Sequence, residues 1–234
     1  MKYLLTFFLF ITIVYPQDNF NKKDAAGKRH GVWKGFYEGT QNLRYEGTFE
    51  HGIETGTFKY YDNTKEPIVL ATREFSQNGT VAYTIFYDKK NKKISEGKTI
   101  NRLNEGEWKF YHKDADNIMM VENYKEGKLN GPKKVFFKNN AIAEESNYSN
   151  GLKDGPYKKY LENGTIIEES NFKNGEYEGV AKFYDAEGKI ASKGPFVKGA
   201  KKGKWQFYEN GKLKKEETYP IVKFIATPKR KNKE

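Results

Sequence analysis

The feature that most constrains the fold is that the chain repeats itself. Residues 144–160 read EESNYSNGLKDGPYKKY and residues 168–184 read EESNFKNGEYEGVAKFY, so nine of seventeen residues are identical after a shift of 24 positions. The repetition extends along most of the sequence. Anchor glycines precede aromatic-rich segments at Gly31, Gly56, Gly106, Gly131, Gly155, Gly179 and Gly203, and Ala82 stands where one further anchor falls. Neighbouring anchors are 24 to 26 residues apart. Five residues beyond each stands an aromatic: Phe36, Tyr61, Tyr87, Tyr111, Phe136, Tyr160, Tyr184 and Tyr208. Seven residues before most of them stands another: Phe49, Phe75, Tyr124, Tyr148, Phe172 and Phe196, with Thr99 as the exception. A fixed period of this length is the mark of a repeat architecture, in which each unit buries its apolar face only by stacking on its neighbours.

Within a unit the pattern is that of strands and turns. In GKWQFYENGKLKKEETY, from Gly203, Trp205 and Phe207 alternate with Lys204, Gln206 and Tyr208, the two-residue period of a strand. Six Asn-Gly pairs, beginning at Asn78, Asn130, Asn150, Asn163, Asn174 and Asn210, supply backbone that accepts positive φ and so favours tight hairpins. The expected fold is all-β: an elongated open antiparallel sheet, or β-solenoid, of about eight stacked hairpins with strands of about six residues.

The flanks read differently. Lys2 followed by the apolar run Tyr3–Val14 resembles a secretory signal peptide, too short for the roughly 20 residues of a bilayer span. The boundaries expected are a leader over 1–16, a polar lead-in over 17–28, repeats over 29–219, a capping strand over 220–227 and a basic tail over 228–234. Export to the periplasm, the outer surface or the medium follows from this reading, and an uncleaved N-terminal anchor is the alternative. The chain contains no cysteine, which removes disulfides, thiolate nucleophiles and zinc thiolate sites.

The stretch YEGTFEHGIETGTFKYY, Tyr45–Tyr61, resembles a MORN repeat, with Tyr45, Gly47, Phe49, Gly52 and Gly56 at the family's positions. Later units exchange the leading Tyr-Glu-Gly for Glu-Ser-Asn. They are similar to the bacterial MORN-variant group labelled YwqK-family antitoxin-like, as in FYENGKLKKE at Phe207–Glu216. The resemblance covers nearly all of 29–219. It implies a scaffold with protein-binding or membrane-associated roles, and it carries over no catalytic residue. A fold reused for many partners does not by itself name one.

The residues offer little chemistry of their own. His30, His51 and His112 occupy different positions of different units and are expected as turn decoration rather than metal ligands or a general base. The paired carboxylates Glu144-Glu145, Glu168-Glu169 and Glu216-Glu217 are split across a sheet by strand alternation and are expected as solvated charges. No phosphate-binding loop, dinucleotide fingerprint or nucleophile elbow is present. No enzyme activity, metal or cofactor is therefore expected.

Aromatics two residues after the anchors (Trp33, Phe58, Trp108, Tyr157, Trp205) and four after (Tyr60, Phe86, Phe110, Phe183, Phe207) could stack bases or sugars. Their recurrence in nearly every unit fits packing better, since core positions must repeat and binding positions need not.

Binding is sought instead where the repeat is broken. Three longer turns should lie side by side: one with Lys65, Glu66 and Pro67, one with Lys89, Lys90, Lys92 and Lys93, and one with His112, Lys113 and Asp114. The formal charge of +11 and the tail residues Lys229, Arg230, Lys231 and Lys233 add candidate contacts to an anionic surface. The leading reading is an exported non-enzymatic scaffold with an unidentified protein partner. The alternatives are a peripheral binder of anionic envelope lipid or polymer, and an antitoxin or immunity-type protein. Nucleic acid is not an expected partner, and an open sheet edge offers a second copy a place to pair.

Overall fold

A computed structural model of the protein describes residues 19–220. The leader, the capping strand beyond Pro220 and the basic tail with Lys229, Arg230, Lys231 and Lys233 lie outside the described residues.

Twenty strands and no helix make up the described chain. β1 (Gly31–Phe36) and β2 (Leu43–Glu50) form the first hairpin, β3 (Ile53–Tyr61) and β4 (Val69–Ser76) the second. β5 (Val81–Tyr87) and β6 (Lys93–Ile100) form the third, β7 (Leu103–Tyr111) and β8 (Ile118–Lys125) the fourth. In the last four hairpins a single residue breaks the leading strand. β9 (Lys128–Leu129) and β10 (Gly131–Phe136) precede β11 (Ile142–Ser149), and β12 (Leu152–Lys153) and β13 (Gly155–Tyr160) precede β14 (Ile166–Lys173). β15 (Glu176–Tyr177) and β16 (Gly179–Tyr184) precede β17 (Ile190–Val197), and β18 (Ala200–Lys201) and β19 (Gly203–Glu209) precede β20 (Lys212–Tyr219). All pairings are antiparallel and follow chain order, so the molecule is one open meander.

Two recurring distortions replace the simple six-residue strands expected from the sequence. Every anchor glycine sits at positive φ, from 62° at Gly56 to 112° at Gly155, a region that side-chain-bearing residues rarely enter. The kink interrupts the ladder between consecutive hairpins. Ala82 cannot make it cheaply, and there β4 and β5 pair without interruption from Ala71↔Phe86 to Ser76↔Val81. The second distortion is a register shift within each hairpin at the aromatic five residues past the anchor, such as Tyr61, Tyr111 and Tyr208. Asn130 departs from the turn expected for it: it lies in the break between β9 and β10, where its amide donates to Asn123 O at 2.8 Å.

One face of the sheet is lined by rings. Phe58 lies edge-on to Phe49 and Phe75 at 5.2 and 5.3 Å, and Trp205 edge-on to Phe196 at 5.0 Å. In hairpins two, four and eight the ring two past the anchor faces a glycine eleven positions earlier. A Cβ on Gly47, Gly97 or Gly194 would come within 2.3–2.4 Å of Phe58, Trp108 or Trp205 respectively. Volume is thus exchanged between neighbouring hairpins, which is how a single sheet buries Trp205 completely.

The opposite face carries tyrosine–carboxylate pairs. Tyr61 donates to Glu46 Oε1 at 2.6 Å, Tyr160 to Glu145 Oε2 at 2.8 Å and Tyr184 to Glu169 Oε2 at 2.6 Å. The paired carboxylates are split across the sheet as expected, but they are not free solvated charges. Glu168 on the ring face accepts from Ser170 and from Tyr177, both at 2.8 Å.

The polar lead-in closes one edge. Asn21 N donates to Val32 O at 2.8 Å, His30 N to Lys22 O at 2.9 Å and Trp33 Nε1 to Lys22 O at 3.0 Å. With Lys34 N donating to Asn21 Oδ1 at 2.8 Å and Asn21 Nδ2 donating to Lys34 O at 3.0 Å, the β1 backbone groups at Val32 O and Lys34 are already engaged.

Candidate functional site

Hairpins two to four depart from the repeat at several positions that the sheet brings together. Thr84 takes the place held by Phe58, Trp108 and Trp205 in other hairpins, and Thr99 the place held by Phe49 and Phe75. Ala71 stands where the first hairpin has Tyr45, and Arg73 where it has Gly47. Losing ring volume at three of these positions opens a cavity of about 730 Å³ on the ring face. Ala71, Thr84, Ser95 and Thr99 form its buried floor, and Tyr60, Phe86, Trp108, Phe110 and Tyr124 supply aromatic walls. Phe86 is 41% exposed, which is high for a phenylalanine beside a tryptophan and marks the wall as unfilled.

Two guanidinium groups serve this cavity. Arg73 lies 4.8 Å from the centre of the Phe75 ring, and its Nη2 donates to Thr99 Oγ1 at 3.3 Å. Arg102 reaches in from the turn after β6 and meets Glu54 Oε2 at 3.4 Å, with three quarters of its side chain open to solvent. Arg102 holds φ at 68°, while the equivalent position of other inter-hairpin turns is glycine, at Gly52, Gly127, Gly151, Gly175 and Gly199. An L-residue in this region costs roughly 1–2 kcal/mol, and such departures gather at working sites. The Thr84 hydroxyl is buried and has no hydrogen-bond partner among the described residues. Burial raises the pKa of the Tyr60 hydroxyl, Glu54 adding to the effect, so it stays a neutral donor at physiological pH. The lining carries two arginines, hydroxyls, an amide and aromatic rings, groups able to hold a ligand.

The turns singled out from the sequence lie elsewhere. Those carrying Lys90 and Lys92 and carrying Asp114 are neighbours, with Lys90 Nζ 2.6 Å from Asp114 Oδ1 and Lys92 Nζ 2.9 Å from Asp116 Oδ1. The Lys90 bond lowers the Asp114 pKa and raises that of Lys90, so this pair stays charged across the physiological range. Lys93 bonds Glu96 at 2.8 Å, and His112 Nε2 lies 3.1 Å from Phe136 O. Lys65, Glu66, Pro67, Lys89 and Lys113 are exposed.

Two of the histidines meet. His30 and His51 are brought together, ring centroids 4.8 Å apart, because the lead-in folds back on the turn after β2. His51 Nδ1 lies 2.7 Å from Asp24 Oδ2, and that bond holds Asp24 below the usual carboxylate range. Among the described residues no group of three or more such side chains is placed to hold a metal.

The signal for the cavity was present in the sequence as the two irregularities Ala82 and Thr99. Both fall in the third hairpin, where Thr84 also breaks the ring series. Arg73 and Arg102 carried no separate mark, since arginine in a strand or turn is ordinary until its backbone conformation is known.

Residues 153–174, 177–198 and 201–219 match the MORN repeat variant family. Residues 153–219 thus carry three consecutive repeats similar to the MORN variant. The matched residues are the last three hairpins, where the spacing is a constant 24 residues, and the cavity lies in hairpins outside them. No curated protein matches the chain. The register shift of the matched hairpins recurs back through the first hairpin, and the positive-φ anchor recurs in every hairpin but the third.

Proposed function

We propose that this MORN-variant chain is an exported, non-enzymatic scaffold whose sheet receives a protein partner. One observation carries the reading. Immediately after each anchor, Val32, Thr57, Tyr83, Glu107, Pro132, Pro156, Val180 and Lys204 form a row across all eight hairpins, and each is exposed. Val32, Tyr83 and Val180 are 44–61% exposed, and the two prolines add apolar surface between them. A long, mainly apolar row on a repeat sheet suits another macromolecule better than a small substrate. The pairing of Lys90 and Lys92 with aspartates leaves fewer free cations for an anionic surface.

The test immobilises the chain from Gln17 and exposes it to an envelope extract, with Val32→Glu/Val180→Glu as the control surface. A stoichiometric protein retained through high salt by the natural chain, and lost by the double variant, supports the scaffold. Retention of lipid or polymer alone, released by salt, replaces it with the surface-binder reading. Detecting the chain only in the cytoplasm, with the leader intact, overturns export.

A further inference from the structure

We propose that the cavity between hairpins two and four is a binding site for a small aromatic carboxylate. The site does not depend on the scaffold reading, since it lies on the ring face and the exposed row lies on the other.

Size and walls come first. About 730 Å³ falls within the range of small-molecule pockets, and its aromatic walls offer π-faces to a flat ring. Hairpins two, four and eight fill this space from within: Phe58, Trp108 and Trp205 stand two past the anchor, with Gly47, Gly97 and Gly194 eleven residues earlier to receive them. Here Thr84 and Thr99 withhold their rings together. An entering aromatic ring would restore stacking of the kind that Phe183 and Trp205 make at 6.3 Å.

Charge defines the rest of the ligand. Arg73 and Arg102 border the cavity and Glu54 bonds Arg102, leaving one positive charge in excess. That matches a monoanion. Planar guanidinium groups recognise carboxylates through paired N–H donors, and the Arg73 group meets no carboxylate among the described residues. The Thr84 hydroxyl, orphaned in the floor, gains a partner if a rotamer change turns it toward the ligand's oxygens.

The Arg102 backbone points the same way. Five equivalent turns use glycine, and arginine is kept here in a conformation that disfavours it. Replacing it by glycine should relieve the turn while removing a ligand contact. Stability and binding therefore move in opposite directions, which a purely structural arginine would not produce.

The experiment titrates 2-naphthylacetate and, as its uncharged counterpart, 2-naphthylethanol into the chain from Gln17 by calorimetry, following the Trp108 indole by NMR. The acid is expected to bind saturably at one site, about tenfold more tightly than the alcohol. Arg102→Gly should weaken the acid about tenfold, leave the alcohol unchanged and raise the denaturation midpoint. Ala71→Tyr, which restores the ring found at Tyr45, should abolish both. If that variant fails to fold, Arg102→Gly decides alone. Absent binding, equal binding of acid and alcohol, or full acid affinity in Arg102→Gly overturns the site.

Discussion

The third and eighth hairpins are the same element made with different contents. In the eighth, Trp205 is fully buried beneath Gly194, and its indole donates to Pro195 O at 3.0 Å. In the third, Thr84 occupies the equivalent position with its hydroxyl unpaired, and the space beside it is open. The backbone differs as well. Gly203 makes the positive-φ kink, and Ala82 does not. One hairpin completes its own packing and the other leaves it incomplete. In a protein whose stability is a sum of neighbour contacts, an incomplete unit is tolerated because the units beyond it still hold.

Truncating the eighth hairpin is the strongest way to break this comparison. Trp205→Ala should cost about 3–5 kcal/mol in urea unfolding, the usual penalty for a fully buried tryptophan. The parallel change Thr84→Val should gain up to about 1 kcal/mol, because it removes a hydroxyl that has no partner. A cost at Thr84 comparable to that at Trp205 would erase the distinction.

Overpacking comes next in size. Gly97→Ala places a Cβ within 2.4 Å of the Trp108 ring and should cost about 1–3 kcal/mol by the same assay. The third hairpin can also be rebuilt toward the eighth. Thr84→Trp should destabilise alone and recover when combined with Arg73→Gly, with a coupling of about 1–3 kcal/mol. Additive effects would mean that volume exchange between hairpins is not the packing rule.

The smallest effect is the response to alkali. Burial, with hydrogen bonds to Glu145, Glu168 and Glu169 added, pushes Tyr160, Tyr177 and Tyr184 up to about 12. A folded-state value above the ordinary 10 contributes stability that is fully present below pH 10 and is lost as pH rises toward 12. Unfolding midpoints should therefore fall across that window, and Tyr160→Phe/Tyr184→Phe should flatten the fall. On the acid side the bonds from Tyr160 and Tyr184 hold Glu145 and Glu169 below the usual range. That contribution is present above pH 4.5 and is lost as pH drops through the lowered values.

Much of the fold was legible because its determinants are local and periodic. Glycine at seven of the eight anchors, an aromatic five residues on and turn residues between strands place eight hairpins in order, and the structure has them there. Asn130 shows the limit: an Asn-Gly pair signals positive φ, but whether this makes a turn or an interruption depends on which strand lies opposite. The carboxylates show it again. Alternation separates Glu168 from Glu169 correctly, yet their tyrosine partners lie nine and fifteen residues away, each across a strand pairing. His30 and His51 met through the fold-back of a lead-in that has no repeat to predict it.

The sequence by itself determined the period, the all-β class, the number of hairpins and the positions at which the pattern fails. These are properties of neighbours along the chain, where backbone preference and alternation act directly. Only the tertiary structure decided that Ala71, Arg73, Thr84, Thr99 and Arg102 face one cavity. A missing ring becomes a site only when the adjacent hairpins do not fill the volume it vacates, and that volume is shared between strands some 25 residues apart.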